Sequence, residues 1–95
     1  MTVYVMEIGG RAVCAFNAQN LEQAKSEGES ATVADDLMTL QSDGVPLWDG
    51  VSMRFVREAM PDESAKWEAS HARAFQRGNV EFADEMWLMF LVPVR

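Results

Sequence analysis

The sequence predicts a single α+β domain over residues 1–95, with an N-terminal β-hairpin, two helices and a strand-helix-strand unit. Together these form a mixed, mostly antiparallel sheet of about four strands with helices packed on it, in the order ββααβαβ. Three observations predict it. Two strand-like runs, 2–8 and 11–17, meet at Gly9-Gly10, a pair that takes the positive φ angles of a tight hairpin turn. Three later stretches carry helix signals: a capping box, an apolar stripe at helical spacing and a first-turn proline. The run Met86-Trp87-Leu88-Met89-Phe90-Leu91-Val92-Pro93-Val94 has no charge, hydroxyl or amide side chain. It is far shorter than the roughly 20 apolar residues of a membrane span, and it suits a strand covered on both faces.

Each element has a local cause. A two-residue turn sets Ile8 opposite Arg11, Met6 opposite Val13, Tyr4 opposite Ala15, Val5 opposite Cys14 and Val3 opposite Phe16. One face is then Val3, Val5, Cys14 and Phe16, and the other Tyr4, Met6, Ile8, Val13 and Ala15. Both are apolar, so the hairpin is expected to need cover on each side. Asn20 with Gln23 makes a capping-box start and Gly28 a left-handed stop, which predicts a helix over 21–27. A second helix over 31–41 aligns Val33, Leu37 and Leu40 on one stripe, flanked by Ala34 and Met38, and turns Asp35, Asp36 and Thr39 to water. Residues 42–50 hold two Asp-Gly turn signals around Val45, Leu47 and Trp48, and Asp49-Gly50 is expected to close a small hairpin onto a strand over 51–58. Pro46 restricts its segment to an edge. Pro61 opens a helix expected to run to Gly78, with Asp62 and Glu63 at its positive end and Arg73 and Arg77 at its negative end. That helix is long enough for a crossover between parallel strands. The closing run puts Met86, Leu88, Phe90, Val92 and Val94 on one face and Trp87, Met89 and Leu91 on the other. It is read as a central strand whose second roof comes from another copy of the chain.

Ninety-five residues, 48% of them hydrophobic, suit one core. A domain this small buries only about 60–65% of its unfolded surface, so a partner subunit is a natural supplement. The net charge is −7, and residues 22–49 set seven acids against Lys25 alone. That balance excludes the basic stripe of nucleic-acid binding and the polybasic attachment to an anionic membrane. The acidic segment reads first as solubilising surface and second as a docking surface for a basic protein partner. One cysteine, no Asn-x-Ser/Thr acceptor and no secretory leader pattern at Met1 give a cytoplasmic protein as the expectation.

Chemistry-bearing residues are few. His71 lies one turn after Trp67 and one turn before Phe75, so it reads as a half-buried core histidine before it reads as a general base. A catalytic role would pair it with an acid such as Glu68 or Asp84. His71 and Cys14 are the only His and Cys residues, too few for a zinc site. The Asp35-Asp36 and Asp43-Gly44 pairs lack calcium-loop spacing, so neither metal nor cofactor is expected. Cys14 sits among apolar residues and reads as core. Asp62-Glu63 and Asp84-Glu85 read as solvated element ends. Trp48, in a turn-rich loop, is the candidate ligand-binding residue, with the internal methionines as further walls. The Trp48-Asp49-Gly50 turn followed by Val56-Arg57-Glu58-Ala59 resembles short bacterial proteins, without a named family from which a functional residue could be carried over.

The expected function follows from coverage. Three helices are too few to roof a four-strand sheet on both sides, so the uncovered face becomes an interface. The leading expectation is a non-catalytic, homodimeric protein-interaction module that contacts its copy through sheet surface or a strand edge, with Tyr4, Met6, Trp87 and Met89 as interface candidates. A small-molecule or peptide-binding regulator with a pocket under the 42–50 loop is the first alternative. A cofactor-free enzyme using His71 is the second.

Overall fold

The computed structural model describes residues 2–42, 44–80 and 86–92, without the side chains of Ala31 and Thr32. Strands β1 (Thr2–Ile8) and β2 (Arg11–Ala18) form the hairpin, followed by helices α1 (Leu21–Gly28) and α2 (Ala31–Thr39). Two-residue strands β3 (Gln41–Ser42) and β4 (Val45–Pro46) pair with each other, and β5 (Arg54–Glu58), α3 (Pro61–Gln76) and β6 (Leu88–Phe90) complete the chain. The predicted α+β architecture is present. Its main sheet has the order β5-β1-β2-β6.

Every pairing in this sheet is antiparallel. The expected parallel crossover is therefore not formed. Helix α3 instead carries the chain from one edge of the sheet to the other, and β6 is an edge strand rather than a central one.

The turn follows expectation, with Gly9 at φ 60° and Gly10 at φ 83°. The register does not. Ile8 pairs with Arg11 and Glu7 with Ala12, but Met6 pairs with Cys14, so Val13 is an extra residue forming a bulge. Beyond it Val5 meets Ala15 and Tyr4 meets Phe16. Side chains alternate along a strand, so one inserted residue exchanges the faces of everything after it. Cys14 and Phe16 join Tyr4, Met6 and Ile8 under α1 and α2, whereas Ala15 joins Val5 and Trp67 on the α3 side. The bulge sorts the large side chains: Phe16 and Met6 are fully buried on the first face.

The helices follow their local signals. Asn20 Oδ1 accepts the Gln23 N–H at 2.8 Å, and the Gln23 side chain reaches back to the Gln19 N–H at 2.7 Å. Gly28 is not the expected left-handed stop but the last residue of α1, and it is needed there for close packing: a Cβ would lie 2.7 Å from Met6 Cε and 3.2 Å from Val56 Cγ2. Ser30 caps α2, whose stripe puts Leu37 in the core with Val33 and Leu40 packed beside it. Leu40 is already extended, so α2 stops short of the predicted end. In α3 Pro61 occupies the first turn, and the Met60 N–H donates to Glu63 Oε1 at 2.8 Å.

Over residues 87–92 the two faces of the closing run divide as predicted, while Met86 is exposed and Val94 lies outside the described residues. Leu88, Phe90 and Val92 pack against the first cluster; Trp87, Met89 and Leu91 pack against the second. The second roof comes from the chain's own α3, not from another copy: the Trp67 indole donates to the Trp87 carbonyl at 2.7 Å, and the Trp87 indole donates to Ser70 Oγ at 3.0 Å. Among the described residues no helix is long and apolar enough to cross a membrane.

Candidate functional site

With α1 and α2 on one face of the sheet and α3 on the other, apolar surface collects instead along the outer flank of β5. Val51 is 88% exposed, Met53 80%, Phe55 56% and Met60 59%, all within or beside this edge strand. Lone exposed apolar side chains are ordinary, whereas several beside one unpaired strand edge make that edge a candidate contact surface.

The backbone of β5 has an outward side. The Ala59 N–H donates to the Val3 carbonyl at 2.9 Å and the Gly9 N–H to the Met53 carbonyl at 3.3 Å. Alternation along an antiparallel ladder then directs Arg57 and Phe55 toward β1 and turns the N–H and C=O of Arg54, Val56 and Glu58 away from it. Among the described residues these outward groups bond to no other strand. Only the Glu58 carbonyl has a side-chain donor, Arg57 Nη1 at 3.2 Å.

Side chains fix the strand on both faces. On the α3 side Arg57 bridges Glu7 of β1 and Glu63 of α3. Its Nε donates to Glu7 Oε2, while Nη1 and Nη2 grip Glu63 Oε1 and Oε2 at 2.7 and 2.9 Å. The guanidinium holds the Glu63 carboxyl below the usual glutamate range, and Glu63 with Glu7 raises the pKa of Arg57. On the opposite face Arg54 lies 4.2 Å over the Trp48 ring and donates to the Gly28 carbonyl at 3.0 Å, near the negative end of α1. Sequence reasoning passed over Arg54, Phe55, Arg57 and Glu58. Their available signal was the period-two order of 54–58, which puts Arg54 and Glu58 on one face about Val56.

The residues singled out by type divide between the two faces of the sheet, Tyr4, Met6, Cys14 and Trp48 with the first cluster and Trp87 and Met89 with the second. Tyr4 and Met6 are buried within the chain, on the face that α1 covers, and offer no surface to a partner, which corrects their expected place at an interface. Trp87 and Met89 are half-buried on the α3 side, and the Trp87 N–H is further tied to Asn17 Oδ1 at 2.7 Å. His71 is stacked on Trp67, ring centroids 4.7 Å apart and 15° from parallel. Its Nε2 is buried without a hydrogen-bond partner among the described residues. Glu68 is exposed, and Asp84 lies outside the described residues. Burial pushes the Cys14 thiol up to about 12, so no thiolate nucleophile forms there near neutral pH. Among the described residues no three His, Cys, Asp or Glu side chains converge as metal ligands.

The 42–50 loop folds differently from expectation. Its first turn joins β3 to β4, and its second makes no hairpin. Asp49 instead closes on itself, Oδ1 accepting the Val51 and Ser52 N–H groups at 2.8 and 2.6 Å and Oδ2 the Ser52 hydroxyl at 2.7 Å. The Ser52 donors, then the Val51 amide, hold the Asp49 carboxyl down to about 2. A depression of about 210 Å³ does open beside the loop, lined by Ile8, Arg11, Val13, Ser42, Pro46 and Leu47 among others. Trp48 does not line it; its indole donates to the Ser52 carbonyl at 2.9 Å and its ring faces Arg54.

Comparison with known proteins gives no matching family model, and neither curated proteins nor solved structures contain a significant match.

Proposed function

We propose that the protein is a non-catalytic protein-interaction module that acts as a homodimer. The observation that carries this is the apolar flank of β5, where Val51, Met53, Phe55 and Met60 are all more than half exposed beside an unpaired strand edge. The rest of the sheet's apolar surface is committed to the helices. A domain this small gains from covering such a strip, and a second copy is always at hand.

The variant Phe55→Ser removes part of the strip at an exposed position and leaves the core intact. Light scattering during size exclusion should give a dimer for the parent chain at micromolar concentration and a shift toward monomer for the variant. A parent chain that runs as a monomer would sink the reading.

The depression beside the 42–50 loop favours a second reading, a small-molecule or peptide-binding regulatory domain. Its volume lies below the roughly 300–1,000 Å³ of drug-sized ligand pockets, so its occupant would be a fragment or a single side chain. Trp48 adjoins the depression through Leu47 and Asp49, so its fluorescence should respond to filling. Silence against a panel of apolar metabolites and peptides would remove this alternative.

A further inference from the structure

Building on the homodimer reading, we infer that two copies join by antiparallel pairing of β5 with β5 about a two-fold axis at Val56, making one continuous eight-stranded sheet. The outward backbone groups select this register. Setting Val56 opposite Val56 of the second copy places Arg54 opposite Glu58, and each N–H and C=O that β5 turns away from β1 then finds a counterpart. A shift of two residues either way leaves one end of the outward set unpaired. The Glu58 carbonyl already accepts from Arg57, and its second lone pair serves the new ladder.

The side chains agree with the same register. Arg54, Val56 and Glu58 share one face, so the axis brings Arg54 of each copy beside Glu58 of the other, two opposite-charge pairs generated by one symmetry operation. Among the described residues neither side chain has an ion-pair partner within its own chain. Glu58 is exposed, and Arg54 is already held at the strand by the Gly28 carbonyl and the Trp48 ring. On the other face the register sets Phe55 opposite Arg57 of the second copy. There the planar guanidinium, fixed by Glu7 and Glu63, offers a surface to the exposed ring. Self-complementarity of charge and backbone thus names a second copy of this chain as the occupant.

Charge reversal tests it by sedimentation equilibrium, with circular dichroism confirming folding. Glu58→Arg should weaken the dimer by about tenfold or more, because the altered contact occurs twice. Arg54→Glu should do the same. The double variant Arg54→Glu/Glu58→Arg should restore affinity to within about threefold, since the exchanged charges meet again across the axis. Glu58→Pro deletes an outward N–H that β1 does not use and should also weaken the dimer. If Arg54→Glu fails to fold for want of its Gly28 and Trp48 contacts, the two Glu58 variants decide the matter. A dimer indifferent to both Glu58 variants overturns this register and leaves the homodimer reading standing. A parent chain that never dimerises overturns both.

Discussion

Arg57 joins three elements through one guanidinium: it belongs to β5, reaches Glu7 in β1 and grips both oxygens of Glu63 at the start of α3. Side chains of all three are mostly shielded, so the pairing is more than a surface ion pair. Arg57→Ala would leave two carboxylates without their counter-charge, and urea unfolding should show a loss of about 1–3 kcal/mol. Arg57→Lys should recover only part of that, because an ammonium cannot make the two-pronged contact. The pH dependence follows from Glu63. Its carboxyl is held below the ordinary value near 4.5, so its contribution is fully present above that value and is lost as pH falls below it. Thermal melts across pH 7 to 3 should show this decline, and Glu63→Gln should flatten it while lowering stability at neutral pH.

At the scale of elements, the local signals were legible and the long-range ones were not. Asn20 and Pro61 mark their helix starts because such signals involve only neighbours in sequence. The Val13 bulge was hidden, since both hairpin registers expose equally apolar faces and only the packing of Phe16 and Met6 under α1 separates them. The path of α3 was hidden for a like reason: a helix of this length suits either a parallel crossover or a run from edge to edge, and strand order decides. The site followed from that order. Arg54 and Glu58 flank Val56 plainly in the sequence, yet they became a candidate interface only when β5 proved to be an edge. Helix α3 itself hangs on Trp67, 8% exposed, which packs on Val5 and Ala15 and holds the Trp87 carbonyl. Trp67→Ala should cost about 3–5 kcal/mol in denaturant unfolding, a large share of a small domain's stability.

For the molecule as a whole, the question is where apolar surface remains after folding. The closing run needs two roofs, and α2 with α3 supplies both. The predicted shortage of helices is therefore not where the surface is left over. Much of it lies along β5, beside which four large apolar side chains are exposed and a row of backbone groups points outward. An edge of that kind is either shielded or used. Sedimentation equilibrium of the unmodified chain at micromolar concentration tests self-association most directly. A folded species at twice the 10.6 kDa chain mass is the predicted result, and a folded species at 10.6 kDa across the concentration range would contradict it.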